Sequence, residues 1–210
     1  MKARSFNQQK FWSKWDDDPE FKDIYNKMAQ KSLVDVRRLY TLCELARHCN
    51  SIDGDVAELG VCEGGTARLI ARLMPEKEVH LFDTFEGLPE THLVFDMMIK
   101  GQLKAELSQV KEFLSDLKNV RFRPGFFPQT ATGLENKEFC FAHIDADIYQ
   151  SIKDACEFFY PRMAKGGMMV FDDYGYFGTK GAKKAVDEFF QDRAEYPMYL
   201  ISHQCLVVKL

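Results

Sequence analysis

The chain has no paired cysteines, no long apolar run and no basic tract, and each absence removes a class of function. Its six cysteines, Cys43, Cys49, Cys62, Cys140, Cys156 and Cys205, are scattered singly, without the CxxC spacing that holds zinc or runs dithiol chemistry. Most fall in apolar patterns, the setting of buried reduced thiols, and a cytoplasmic location is expected. No segment reaches the ~20 consecutive apolar residues that span a bilayer, and the opening MKARSFNQQKFWSKWDDD lacks the apolar stretch of a secretory signal, so no membrane partner is expected. Lysine and arginine number 28 against 32 acidic residues, a net charge of −4 without a basic cluster, so a grip on nucleic-acid phosphates is not expected either. Prolines number 7 and glycines 13 among 210 residues, and they gather into no linker, repeat or low-complexity segment.

What is present is an alternation of two hydrophobic periods. Residues 1–31 carry Phe11, Trp12, Trp15, Phe21 and Tyr25 at mixed spacings that predict short helices, and 32–49 repeat apolar residues at the helical period. Residues 1–50 thus read as an amino-terminal helical appendage on a domain of 51–210, with Trp12 and Trp15 in packing or a subunit contact. Short apolar strands follow at 56–59, 79–82, 120–122, 139–144 and 167–171, separated by helical patterns near 66–74, 103–117, 149–160 and 182–190. Strand and helix in turn imply a parallel sheet with helices on both faces. Segments 198–201 and 205–210 are too close for a crossover helix, so they predict an antiparallel hairpin. The fold class is α/β, with a seven-stranded, mostly parallel sheet.

In Asp55-Val-Ala-Glu-Leu-Gly-Val-Cys-Glu-Gly-Gly-Thr66 a strand runs into Gly60, Gly64 and Gly65 and opens a helix, so the backbone can approach a ligand at the helix amino terminus. Val61 and Cys62 stand where a dinucleotide fingerprint needs its second glycine. The spacing of Glu58, Gly60 and Gly64 instead resembles the ExGxxxG motif of S-adenosylmethionine binders. About twenty residues further on, Asp83 closes the second strand, where a carboxylate can accept ribose hydroxyls or simply cap a turn. Two acidic motifs end later strands: Asp145 and Asp147 in HIDADIYQS, Asp172 and Asp173 in MMVFDDYG. Neighbouring parallel strands would bring these carboxylates to one rim, and a hard divalent cation would relieve their repulsion. Asp147 also stands where it could cap the following helix. His48, His80, His92 and His203 have no metal-ligand spacing, and His143 reads as strand packing.

The segments VAELGVCEGGTARL, HLFDTFEGLPE, GFFPQT, HIDADIYQS, FFYPRMAKGGMMVFDDYG and GAKKAVDEFF, in this order between residues 54 and 190, resemble the TylF-type macrocin O-methyltransferases. That family methylates sugar hydroxyls with S-adenosyl-L-methionine and a divalent metal. The resemblance implies a Rossmann-like class I methyltransferase fold with S-adenosyl-L-methionine and Mg2+ as cofactors. It places Glu58, Gly60, Gly64, Thr66 and Asp145 beside the cofactor, Asp83 on its ribose, and Phe127 of the turn after the third strand at its adenine. It also makes Asp145, Asp172 and Asp173 the magnesium ligands. Asp145 or Asp147 is expected to take the proton from the acceptor, a hydroxyl of a sugar or glycosylated small molecule, and self-association as a homodimer is a further expectation. Two other readings stay open: an NAD-type oxidoreductase, motivated by Asp83, and a catalytically silent nucleoside-binding scaffold.

Overall fold

The structure, a computed structural model, describes residues 13–92 and 94–210; Phe11 and Trp12 lie outside the described residues. Seven strands form one sheet: β1 (Asp55–Leu59), β2 (Val79–Asp83), β3 (Val120–Pro124), β4 (Phe139–Ile144), β5 (Met163–Phe171), β6 (Met198–Tyr199) and β7 (Cys205–Val208). Their order is β3-β2-β1-β4-β5-β7-β6, with β1 to β5 parallel and the hairpin β6–β7 antiparallel to β5. The expected α/β architecture with its reversed hairpin is the one observed.

Among the described residues six α-helices cover the two faces: α1 (Pro19–Met28), α2 (Val36–Cys49), α3 (Gly65–Leu73), α4 (Leu107–Phe113), α5 (Tyr149–Phe159) and α6 (Lys180–Phe190). The period of two along each strand sorts the side chains. Val56, Val79, Leu81 and Val170 enter one core with α1 to α4, while Ala57, Phe82, Ala142, Ile144 and Phe171 enter the other beneath α5 and α6. Phe21 of α1 and Leu39 and Leu42 of α2 are almost completely buried in the first core. At about 1.5–3 kcal/mol for each such side chain, α1 and α2 are held firmly as a layer of the first core.

Local chemistry explains where the elements depart from expectation. α2 starts at Val36 because Asp35 caps it, its carboxylate accepting from Arg37 N at 2.9 Å and from Arg38 N. α4 is shorter than 103–117: Leu103 sits at φ +62 and Glu106 is extended at ψ 111, so the helix starts at Leu107, and it ends at Phe113 before Leu114 at φ −100, ψ 10. β5 begins at Met163, before the predicted 167, and β6 keeps only two residues.

The strand order decides where a ligand goes. Chain order reverses between β1 and β4, so the loops leaving their carboxyl ends part and open a crevice between them. Both motif-bearing turns sit at that crevice.

Candidate active site

A cavity of about 350 Å³ occupies the crevice; Gly60, Thr66, Asp83, Phe127, Asp145, Asp147 and Asp173 line it, together with Arg38 and Tyr176. Part of the cavity wall comes from the connection between α1 and α2, with Lys31, Ser32, Leu33 and Val34, and part from the connection between β2 and α4, with Leu88, Pro89, Met98 and Leu103.

Gly60 has φ +92, and a β-carbon on it would lie 1.7 Å from the Asp145 carbonyl oxygen. Its first duty is therefore to let the acidic loop close onto β1. Asp83 Oδ2 accepts from Val61 N and Cys62 N, both at 2.8 Å, and Oδ1 accepts from Phe85 N at 2.7 Å. Three of its roughly four lone-pair sites thus brace the glycine turn. Turn capping is real here, and about one site remains for a ligand. Phe127 lines the cavity while its ring packs on Phe82, Phe158 and Phe159.

Glu58 and Gly64, expected beside the cofactor, are not among the residues that line the cavity. Gly64 has φ +88 and faces Val110, Phe113 and Leu114 across the α3–α4 contact. Glu58 is fully buried, and its Oε1 lies 2.9 Å from His143 Nδ1. Strand alternation is the reason: Glu58 shares the face of Val56, whose core packs against α1 to α4, whereas Ala57 and Leu59 enter the other core.

One carboxylate oxygen from each of Asp145, Asp172 and Asp173 can be chosen so that all three lie within 4.8 Å of one another. Asp172 is completely buried and Asp173 nearly so, while Asp145 and Asp147 are half-buried at the cavity. Burial and the charges of Asp172 and Asp173 hold the Asp145 carboxyl well above its usual range. Burial and the Asp147 and Asp172 charges do the same to Asp173. Burial and Asp172 push Asp147 up to about 6. Asp172 goes the other way: burial opposes its charge, but His143, Arg38 and Gln204 outweigh it and keep the carboxyl below the usual range. Gln204 Nε2 donates to Asp172 Oδ1 at 2.7 Å, Arg38 pairs with Oδ2, and His143 Nε2 stands 3.6 Å from Oδ1. Burial acts against a charged His143, yet Asp172 and Glu58 raise its pKa to about 10. The rim is therefore a set of carboxylates with more negative charge than Arg38 and His143 neutralise, and the donor set fits a hard divalent cation.

Asp147 is not the cap of α5. It sits at φ +59 with its N–H donated to Asp173 Oδ2 at 2.9 Å, and Asp96 instead accepts from Tyr149 N at 3.0 Å. A distant carboxylate has taken the capping role, and the Asp147 side chain faces the cavity. Arg38, Gln204 and Asp96 are site residues that sequence reasoning missed, and His143, read as strand packing, stands beside Asp172. Gln204 left one signal, a lone amide in an apolar hairpin; the others left none at short range. His80 lies with Asp55 and Glu78 at the opposite strand ends, where Lys137 already pairs with both acids. No helix of the described residues is long and apolar enough to cross a membrane.

This sheet, with its carboxylate-rimmed crevice, has the architecture of class I O-methyltransferases. The chain belongs to the Macrocin-O-methyltransferase (TylF) family, which it matches over residues 20–209. The 8-demethyl-8-(2,3-dimethoxy-alpha-L-rhamnosyl)-tetracenomycin-C 4'-O-methyltransferase of Streptomyces olivaceus is 32% identical over 164 residues, 68% of this chain and 62% of that protein. Demethyldecarbamoylnovobiocin O-methyltransferase of Streptomyces niveus is 26% identical over 180 residues, 75% of this chain and 67% of that protein. The chain spans about two thirds of the length of these relatives. The solved O-methyltransferase NovP superposes with a TM-score of 0.72 at 25% identity, covering 85% of this chain and 82% of its own. The calicheamicin methyltransferase CalS11, at 17% identity, shares the fold with a TM-score of 0.71 over 98% of this chain and 99% of its own.

Proposed function

We propose that the protein is an S-adenosylmethionine-dependent O-methyltransferase whose acceptor is a hydroxyl of a sugar or glycosylated small molecule, with magnesium held by Asp145, Asp172 and Asp173. The observation that carries this reading is the convergence of those carboxylates beside the Gly60 turn in a chain of this family. The relatives' acceptors support it: a rhamnosyl-bearing tetracenomycin C for one, mycinamicin III, methylated at its 3'' oxygen, for another that is 28% identical. Family membership sets the oxidoreductase reading aside.

S-adenosylmethionine supplies the methyl group as a sulfonium, and magnesium supplies a Lewis acid and template for the hydroxyl. The chain's own residues do the rest. Asp147, whose carboxyl burial and the Asp172 charge raise above its usual range, would take the hydroxyl proton. Asp172 is kept ionised and fixed by Gln204, Arg38 and His143, so one side of the cluster cannot drift. Gly60 and Asp83 hold the turn and the acidic loop at constant separation, and such positioning supplies much of the rate of an in-line transfer.

The test is transfer of a labelled methyl group from S-adenosylmethionine to a panel of glycosides. Turnover is expected with magnesium, none with excess EDTA, and S-adenosylhomocysteine affinity, measured by calorimetry, stays nearly the same in both. Calcium, larger and less strict in geometry, should support transfer poorly. Full turnover in EDTA, or in Asp145→Asn and Asp172→Asn proteins, removes the cation from the reading, and no turnover on any glycoside removes the acceptor class.

A further inference from the structure

Asp96 lies in the connection between β2 and α4, remote in sequence from both acidic motifs, yet it touches the helices that follow each of them. Its Oδ1 accepts from Tyr149 N at 3.0 Å, the first residue of α5, and its Oδ2 accepts from His92 N at 2.7 Å. Gly181 of α6 donates its N–H to Phe95 O at 3.1 Å, and Met97 N donates to Gly178 O at 3.3 Å. The fit is close: a β-carbon on Gly181 would lie 2.0 Å from Asp96 Oδ1 and 3.0 Å from the Tyr149 β-carbon. The Phe95 ring stacks on His92 at 4.3 Å, lies 5.5 Å from the Tyr149 ring and carries the Lys184 ammonium at 5.1 Å. One carboxylate therefore sits where the amino ends of α5 and α6 meet, a place whose unpaired N–H groups favour an anion.

What Asp96 joins is as telling as how. α5 leaves the loop of Asp145 and Asp147, and α6 leaves the loop that starts at Asp172 and Asp173. The connection that carries Asp96 also supplies Leu88, Pro89, Met98 and Leu103 to the cavity wall. We propose that Asp96 is a positioning residue: it ties this wall to the amino ends of α5 and α6 and so sets where Asp145, Asp147 and Asp173 present their carboxylates. The inference rests on the methyltransferase reading for its effect on rate, and on geometry alone for the tie itself.

Two variants and two readouts test it. Asp96→Ala should lower kcat about 10–100-fold, the range for a residue that orients the groups in contact with substrate or metal, while KM for S-adenosylmethionine moves less. Amide exchange at Tyr149 should accelerate in the same protein. Asp96→Asn keeps an oxygen for Tyr149 N–H and should restore slow exchange and most of kcat. Gly181→Ala, which leaves Asp96 in place but drives a methyl group into its carboxylate, should act like Asp96→Ala and serves if that variant does not fold. Wild-type kcat and wild-type exchange at Tyr149 in Asp96→Ala or Gly181→Ala overturn the proposal, as does an Asn variant no better than Ala. A wild-type protein that methylates no glycoside counts against the functional reading, whereas normal wild-type turnover with unaffected variants counts against Asp96 alone.

Discussion

The α-carbon of Gly60 and the carbonyl of Asp145 touch so closely that a β-carbon at Gly60 would stand 1.7 Å from that oxygen. The hydrogen bonds on either side, Asp145 N to Leu59 O at 2.8 Å and Gly60 N to Phe82 O at 2.9 Å, leave neither backbone free to retreat. The cofactor-turn motif and the acidic motif are thus one mechanical unit.

Gly60→Ala is the direct consequence. Overpacking costs about 1–3 kcal/mol, and a left-handed φ of +92 adds roughly 1–2 for a residue with a side chain. The expected result is a lowered urea midpoint together with loss of methyl transfer. A variant with wild-type midpoint and rate would mean that the two motifs are not in contact.

Asp83 should matter through the turn as much as through any ligand. Its carboxylate accepts three backbone N–H groups, each charged hydrogen bond worth about 1.5–3 kcal/mol. Asp83→Ala should weaken S-adenosylhomocysteine binding at least tenfold and raise amide exchange at Val61 and Cys62. Weaker binding without faster exchange would assign the loss to ligand contacts alone.

Asp147 should set the acid limb of the rate profile. Protonated at low pH, it cannot accept the hydroxyl proton, so kcat should rise as pH climbs through its titration. Asp147→Asn should lower kcat about 10²–10⁴-fold and abolish the limb while S-adenosylhomocysteine still binds. An unchanged limb in the Asn protein would pass the base role to Asp145.

Glu195 offers a stability test away from the site. Burial opposes its charge, but hydrogen bonds from Lys209 Nζ at 2.9 Å and Tyr160 OH at 2.8 Å hold its pKa down to about 2 from an ordinary 4.5. With the folded value depressed, its contribution is complete above 4.5 and is lost as pH falls toward 2. Glu195→Gln should lower the urea midpoint at neutral pH and flatten its fall between about pH 5 and pH 2. An acid slope identical to wild type would show that Glu195 carries none of it.

By itself the sequence determined what depends on short-range pattern. Strand and helix periods, the reversed hairpin, the glycine turn, Asp83 at the end of β2 and the two acidic strand ends were all legible, because a period or a motif spans only a few neighbouring residues. Tertiary structure decided what depends on distance in space. It turned Glu58 toward His143, gave Gly64 to helix packing, set Arg38, Gln204 and His143 around Asp172, and made α1 and α2 a layer of the core. It also let Asp96 cap α5 in place of Asp147. A carboxylate's partner is chosen by whichever backbone or cation packing brings within about 3 Å, and no local pattern encodes a neighbour that the fold supplies from elsewhere in the chain.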